Sequence, residues 1–227
     1  MKNKKTILIT CAGGSGSIYL ARKLGKKFNI VLADGSGDNA APFLGFKFYH
    51  VPFGNSPDYS DSIKKIIRRH KVDYVVPGSD EELIPVSILS LKMNSFIPIM
   101  PSLNFVKLCL NKKQLMIKLD QASISNLPPL KSMRDIKYPV IAKPVYGRGS
   151  REVHKIKNLP ELRGYLNLYE KKISDVVVQK YIPGVEYTVS VIVNNINNVI
   201  GIVPKRILFK KGITRAAVTE NNSLIEN

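Results

Sequence analysis

The first hundred residues alternate short apolar runs with amphipathic stretches, and this alternation constrains the fold more than any other feature of the chain. The runs are "KTILITC", "FNIVLAD", "FKFYHVP", "VDYVVPG" and "FIPIM". Segments of helical period lie between several of them, over residues 17–27, 60–71 and 81–92. In the second, Ile63, Ile66 and Ile67 share one face while Lys64, Lys65, Arg68 and Arg69 point elsewhere. Strands alternating with helices predict a parallel sheet joined by right-handed crossovers. Residues 1–105 therefore read as an open α/β domain. Ligands of such sheets gather at the carboxyl ends of the strands, where "CAGGSGS", "ADGSGDN" and "PGSDEE" stand.

The first of these loops carries Gly14-x-Gly16, and Asp34 ends the next apolar run. That is the spacing of a dinucleotide-binding fingerprint, in which glycines admit a pyrophosphate and the acid holds a ribose. It opens the reading of a Rossmann oxidoreductase using NAD or NADP. Tyr19 speaks against it, because the third fingerprint position needs glycine or alanine for close helix–strand contact. In "PGSDEEL", the carboxylates could hold an amine, but a helix start capped by Ser79 or Asp80, with dipole-favoured acids after it, explains them more cheaply.

After residue 102 the pattern changes. "SLNFVKLCLNKKQLMIKLDQ" reads as one or two helices, and "ISNLPPLKS" breaks the period with two prolines, as a linker does. Linking helices are expected over 106–130. The remainder, "YPVIAKP", "SREVHKI", "DVVVQKYI", "EYTVSVIVN" and "NVIGIVPKRILF", is strand-like, with one helix over 159–169 and an Asn-rich hairpin turn. This half is mixed α+β with antiparallel pairing.

Two segments of this half carry chemistry. In "VIAKPVYGRGSREV" a strand ends in Lys143 and a loop follows, Gly147, Arg148, Gly149 and Ser150. The lysine precedes the glycines, so this is no Walker A loop. Such a turn can still fold over a polyphosphate and donate backbone N–H groups beside the lysine's charge. The same glycines can also serve only to permit positive φ in a hairpin. In "VVVQKYIPGVEYTVSV" a strand ends in Gln179, Lys180 and Tyr181, a Pro-Gly turn follows, and Glu186 opens the next strand.

The order strand, lysine, glycine loop, helix, strand, hinge, glutamate resembles the ATP-grasp superfamily, and within it the carbamoyl-phosphate synthase large-subunit-like proteins. The resemblance runs over essentially the whole chain. It implies a Rossmann-like preliminary domain (1–105), linking helices (106–130), a lid lobe (131–180) and the incomplete start of a catalytic lobe (181–227). By the same resemblance Lys112, with Lys113 as its rival, and Lys143 would touch the phosphates of ATP. Gly147, Arg148, Gly149 and Ser150 would close over them. The backbone near Gln179 and Tyr181, with Lys180 between, would read adenine, and Glu186 would take the ribose hydroxyls. Lys205 and Arg206 are loose candidates for facing the phosphates or the acyl group.

Family members join a carboxylate to an amine through an acylphosphate, with Mg²⁺ held by an acidic residue and a later Glu-x-Asn. Glu220-x-Asn222 has that spacing but comes too early, so no metal ligand is expected here, and Mg²⁺ is expected only in a complete protein. The resemblance then implies a truncated, split or degenerate relative that alone binds ATP weakly with little or no turnover. A homodimer or a partner chain supplying the missing lobe are the candidate assemblies.

Composition bounds the alternatives. Lysine and arginine number 35 against 17 acids, a net charge of +18, which suits phosphate-bearing ligands and admits a non-catalytic basic module for nucleic acid or protein. The charge is scattered over helical faces, however, and no zinc-finger spacing or RNA-binding aromatic motif is present, so nucleic acid is not the expected partner. No apolar run is long enough to span a bilayer. Cys11 and Cys109 are too few for a disulfide framework, so a cytoplasmic setting is expected.

Overall fold

A computed structural model describes residues 4–130 and 136–226. The chain divides into two compact units, Met1–Leu110 and Asn111–Asn227. Lys131 and Ser132 of the proline-broken stretch, and with them the start expected for the lid lobe, lie outside the described residues.

The first unit is a doubly wound sheet. Its strands are β1 (Thr6–Ile9), β2 (Asn29–Asp34), β3 (Lys47–His50), β4 (Tyr74–Val76) and β5 (Ile97–Pro98), in spatial order β3-β2-β1-β4-β5. All four pairings are parallel. Its helices are α1 (Ser15–Leu24), α2 (Tyr59–His70), α3 (Asp80–Met93) and α4 (Leu103–Leu110). Alternate residues of each central strand serve opposite faces. Leu8, Val31 and Val75 pack with Ile63, Ile66 and Ile67 of α2 and Val86 and Leu89 of α3. Ile7, Ile9, Ile30 and Leu32 pack with Ala21 of α1 on the other side. Burial on both faces is why these strands read as continuous apolar runs. On α2, Lys65, Arg68 and Arg69 are exposed, which is where the basic charge goes.

The strand order reverses between β1 and β4, and the loop that leaves β1 is tied on one side to the end of β2 and on the other to the loop after β4. Asp34 Oδ2 accepts the Gly13 N–H at 2.7 Å, and Oδ1 accepts the Ser36 N–H at 2.7 Å. Asp34 therefore ties the glycine loop to its own turn, which displaces the ribose-holding role its spacing suggested. Tyr19 is 64% exposed, and Ala21 is the buried residue of α1. The tyrosine thus does not occupy a helix–strand contact, because the helix is turned to bring Ala21 inward. Glu82, at 4% exposure, accepts from the Thr10 hydroxyl (2.7 Å) and from the N–H groups of Gly78 (3.0 Å) and Ser79 (3.2 Å). Burial raises its pKa above the ordinary carboxylate value. Glu82, the second glutamate of "PGSDEEL", is an internal brace between β1 and the start of α3.

The second unit holds two antiparallel sheets. In the first, β6 (Val140–Pro144) lies between β7 (His154–Ile156) and β8 (Val176–Lys180). In the second, β10 (Val199–Lys211) lies between β9 (Tyr187–Val193) and β11 (Ile213–Thr219). Helices α5 (Lys112–Gln121), α6 (Leu159–Leu168) and α7 (Ser223–Glu226) complete it. The expected Asn-rich hairpin joins β9 to β10, where the Asn194 side chain accepts from the N–H groups of Ile196 and Asn198. The stretch "SREVHKI" forms a strand only over its last three residues. Ser150 and Glu152 before them take positive φ, which ends an extended strand.

Candidate functional site

Strand alternation builds one wall of a cavity. On β6, Val140 and Ala142 face Leu162 and Tyr165 of α6 in the core. Ile141 and Lys143 alternate with them and face the opposite way, into an open cavity of ≈ 710 Å³. Such a volume lies within the range of small-molecule sites. Ile141 pairs across the ladder with Gln179 of β8, which puts Gln179 on the same face. Gln179 is only 6% exposed, and its amide donates to the Leu127 carbonyl and to Met116 Sδ. Its side chain thus anchors the stretch that follows α5 beneath the cavity.

The cations come from two elements. Asn111 caps α5 by accepting the Gln114 N–H at 3.1 Å, and its own amide donates to the Tyr146 hydroxyl at 2.7 Å. The Lys112 N–H donates to the Val145 carbonyl at 3.1 Å. With the helix start fixed in this way, Lys112 reaches the cavity and its Nζ donates to the Gly147 carbonyl at 2.7 Å. Lys113 leaves in another direction, donating to the Ser174 carbonyl at 2.6 Å. Between the two rivals, Lys112 is the one on the cavity wall. Burial first, and then the like charge of Lys112, hold the Lys143 ammonium below its ordinary pKa.

The loop over the cavity uses backbone conformations that favour glycine: φ is +135° at Gly147 and +64° at Gly149. A Cβ on Gly149 would stand 3.3 Å from Ile213 Cγ2, so the loop rests against the turn between β10 and β11. Arg148 and Ser150 also line the cavity. At the far end, Lys180, Tyr181 and Glu186 form its rim. The Tyr181 N–H donates to the Pro139 carbonyl at 3.1 Å, and Lys155 Nζ sits 3.8 Å over the Tyr181 ring.

All ten residues anticipated for cofactor binding therefore line one cavity. Lys205 and Arg206 do not, among the described residues. Lys205 donates to the Ser190 hydroxyl at 2.8 Å, and Arg206 pairs with Glu220 at 2.9 Å. Glu220 also accepts from the Tyr187 hydroxyl, so these two cations are engaged within the β9–β11 sheet. Sequence reasoning did not single out Ile182 or Lys210, both of which line the cavity. Ile182 had a signal, standing in the hinge motif itself. Lys210 had none.

The family model described as the ATP-grasp domain matches residues 109–221, nearly the whole second unit. The chain belongs to the ATP-grasp superfamily. Solved structures of similar fold include the L-amino acid ligase from Bacillus licheniformis, at 18% identity and a TM-score of 0.66, covering 91% of this chain and 52% of that one. They include the N5-carboxyaminoimidazole synthetase from Staphylococcus aureus complexed with ADP, at 20% identity and 0.71, covering 94% and 57%. The N5-carboxyaminoimidazole ribonucleotide synthetase from Thermotoga maritima follows at 16% and 0.65, covering 90% and 55%. This ATP-grasp chain thus spans between 52% and 57% of the length of these structures. No curated protein matches the sequence.

Two limits on the chemistry of this ATP-grasp chain are visible in its side chains. Among the described residues no group of three His, Cys, Asp or Glu side chains is arranged to hold a metal ion. Glu186, the one carboxylate among the described residues of the cavity wall, is paired with Lys210, so the residues present do not fit a magnesium centre. Neither Cys11 nor Cys109 is in a disulfide, and no helix among the described residues is long and apolar enough to cross a membrane.

Proposed function

We propose that the second unit binds ATP and that the chain is part of an ATP-dependent carboxylate–amine ligase working through an acylphosphate. The observation that carries this is the convergence of Lys112, Lys143 and the Gly147–Gly149 turn on one cavity whose rim bears Glu186. Lys112 and Lys143 meet the triphosphate, and the glycine loop donates backbone N–H groups to it. Lys143 is well suited to this: burial first, and then repulsion from Lys112, lowers its pKa, and an anion between the two ammonium groups offsets both. Adenine lies against the edge of β8. There the Tyr181 N–H is already given to Pro139, so by strand alternation the Lys180 carbonyl and the Ile182 N–H read the base. Glu186 accepts from the ribose hydroxyls.

In such a reaction the γ-phosphoryl group passes to a carboxylate oxygen, ADP leaves, and an amine displaces phosphate from the acyl carbon. The cations stabilise charge on the transferring group. On this reading residues 1–105 are the preliminary domain, 131–180 the lid lobe and 181–227 the opening of the catalytic lobe, with residues 131–135 of the lid outside the described residues. The narrower likeness to carbamoyl-phosphate synthase large-subunit-like proteins rests on the two sequence motifs and belongs to the proposal. So does a cytoplasmic setting, which a chain with only two cysteines and no disulfide framework supports. Because lysines and Arg148 alone meet the triphosphate here, the chain by itself binds ATP weakly and turns it over little.

The test is a thermal melt of the full chain with ATP, ADP, GTP and NAD. ATP raises the transition by a few degrees at millimolar concentration, and NAD leaves it unchanged. No shift with ATP overturns the reading. Magnesium-dependent ATP hydrolysis by this chain overturns the part about weak turnover.

A further inference from the structure

Glu186 is not held by its own strand alone. Its carbonyl accepts the Ile207 N–H of β10 at 2.9 Å, and one oxygen of its side chain, Oε1, takes the Lys210 ammonium of the same strand. Two register irregularities in the β10–β11 ladder, between Ile207 and Phe209 and between Phe209 and Lys210, come immediately before Lys210. Irregularities of this kind re-aim the side chains that follow them and gather beside functional sites. Here the strand both pins the backbone of Glu186 and sends a cation to its side chain. Lys210 also lines the cavity, so both members of the pair stand on its wall.

We propose that Lys210 is the positioning residue for ribose recognition. It binds one oxygen of Glu186, keeps the carboxylate turned along the rim, and leaves the other oxygen to accept from the 2′-hydroxyl. This rests on the reading of the cavity as an ATP site and extends it to a residue that sets the preference for a ribonucleotide over a deoxyribonucleotide. The side chains of Lys210 and Glu186 are 35% and 56% exposed, and ion pairs so open to water add little to stability. A role in folding therefore does not compete with a role in recognition.

The discriminating quantity is the ratio of affinities for ATP and 2′-deoxyATP, measured by calorimetric titration of the full chain. Loss of a cation near a triphosphate weakens both ligands alike, so the ratio isolates the sugar. Wild type prefers ATP by about tenfold, the effect of one charge-assisted hydrogen bond. Lys210→Met brings the ratio down to about two or less, as Glu186→Gln does, and Lys210→Arg keeps most of it. Equal losses for both ligands with an unchanged ratio in Lys210→Met overturn the inference and leave the ATP site standing. If wild type binds neither nucleotide, the reading of the cavity fails and takes this inference with it.

Discussion

The Asp34 carboxylate closes on the Gly13 N–H at 2.7 Å and turns a would-be ribose ligand into a clasp for the glycine loop. Its other oxygen is held by Ser36 at the same distance. Asp34→Ala leaves two backbone donors of a part-buried loop without their charged acceptor and costs about 2–4 kcal/mol in urea unfolding of the first unit. ATP titration of the same variant is unchanged. A loss below about 0.5 kcal/mol rules out the clasp.

The glycines of the first unit separate by what surrounds them. A Cβ on Gly16 meets nothing within 4 Å, whereas one on Gly78 would stand 2.4 Å from the Thr10 carbonyl oxygen. Gly16→Ala, inside α1, stabilises by about 0.5 kcal/mol, and Gly78→Ala destabilises by about 2–4 kcal/mol. Thermal melts of both variants read the contrast. Equal effects would mean that the close approach of β1 to the loop after β4 is absent.

Lys143 sets binding against stability. Its pKa lies below the ordinary 10.5, so its charged form weighs on the fold at every pH below the folded-state value. The load lifts as pH rises from there to 10.5, where the unfolded lysine also loses its proton. Lys143→Met is therefore more stable than wild type at neutral pH, and the difference shrinks toward pH 10.5. The variant also binds ATP at least about tenfold more weakly. Wild type takes up protons on binding ATP at alkaline pH, read as a dependence of the calorimetric heat on buffer ionisation enthalpy. A Met variant less stable than wild type across the range contradicts this account.

Neighbouring lysines at the start of α5 divide their work. Lys112 donates to the Gly147 carbonyl on the cavity wall, and Lys113 donates to Ser174 away from it. Lys112→Ala weakens ATP binding about tenfold or more, and Lys113→Ala changes it less than twofold. Parallel titrations decide between them, and a larger loss for Lys113→Ala reverses the assignment.

What could be read from the amino acids is what depends on near neighbours. The parallel sheet was legible because its central strands are buried on both faces and read as unbroken apolar runs. The Lys143 loop and the Gln179-to-Glu186 hinge are each a dozen residues or so of local pattern. Two placements escaped because they depend on distant pairings. Lys205 and Arg206 looked available until Ser190 and Glu220 were brought beside them across the β9–β11 sheet. Lys210 stands 24 residues from Glu186 and is re-aimed by ladder irregularities that no residue pattern announces. Tyr19 misled for a related reason: the rotation of α1 about its axis, which leaves the ring in solvent, is decided by packing around Ala21.

The first four residues of β6 serve two masters in strict turn, Val140 and Ala142 for the interior and Ile141 and Lys143 for the cavity. Adding or deleting one residue would trade the two sets, driving an ammonium among Leu162 and Tyr165 and presenting alanine to the ligand. Substitution can alter either set while sparing the other. A change of length in this strand damages both at once, so over generations its spelling is freer to drift than its register.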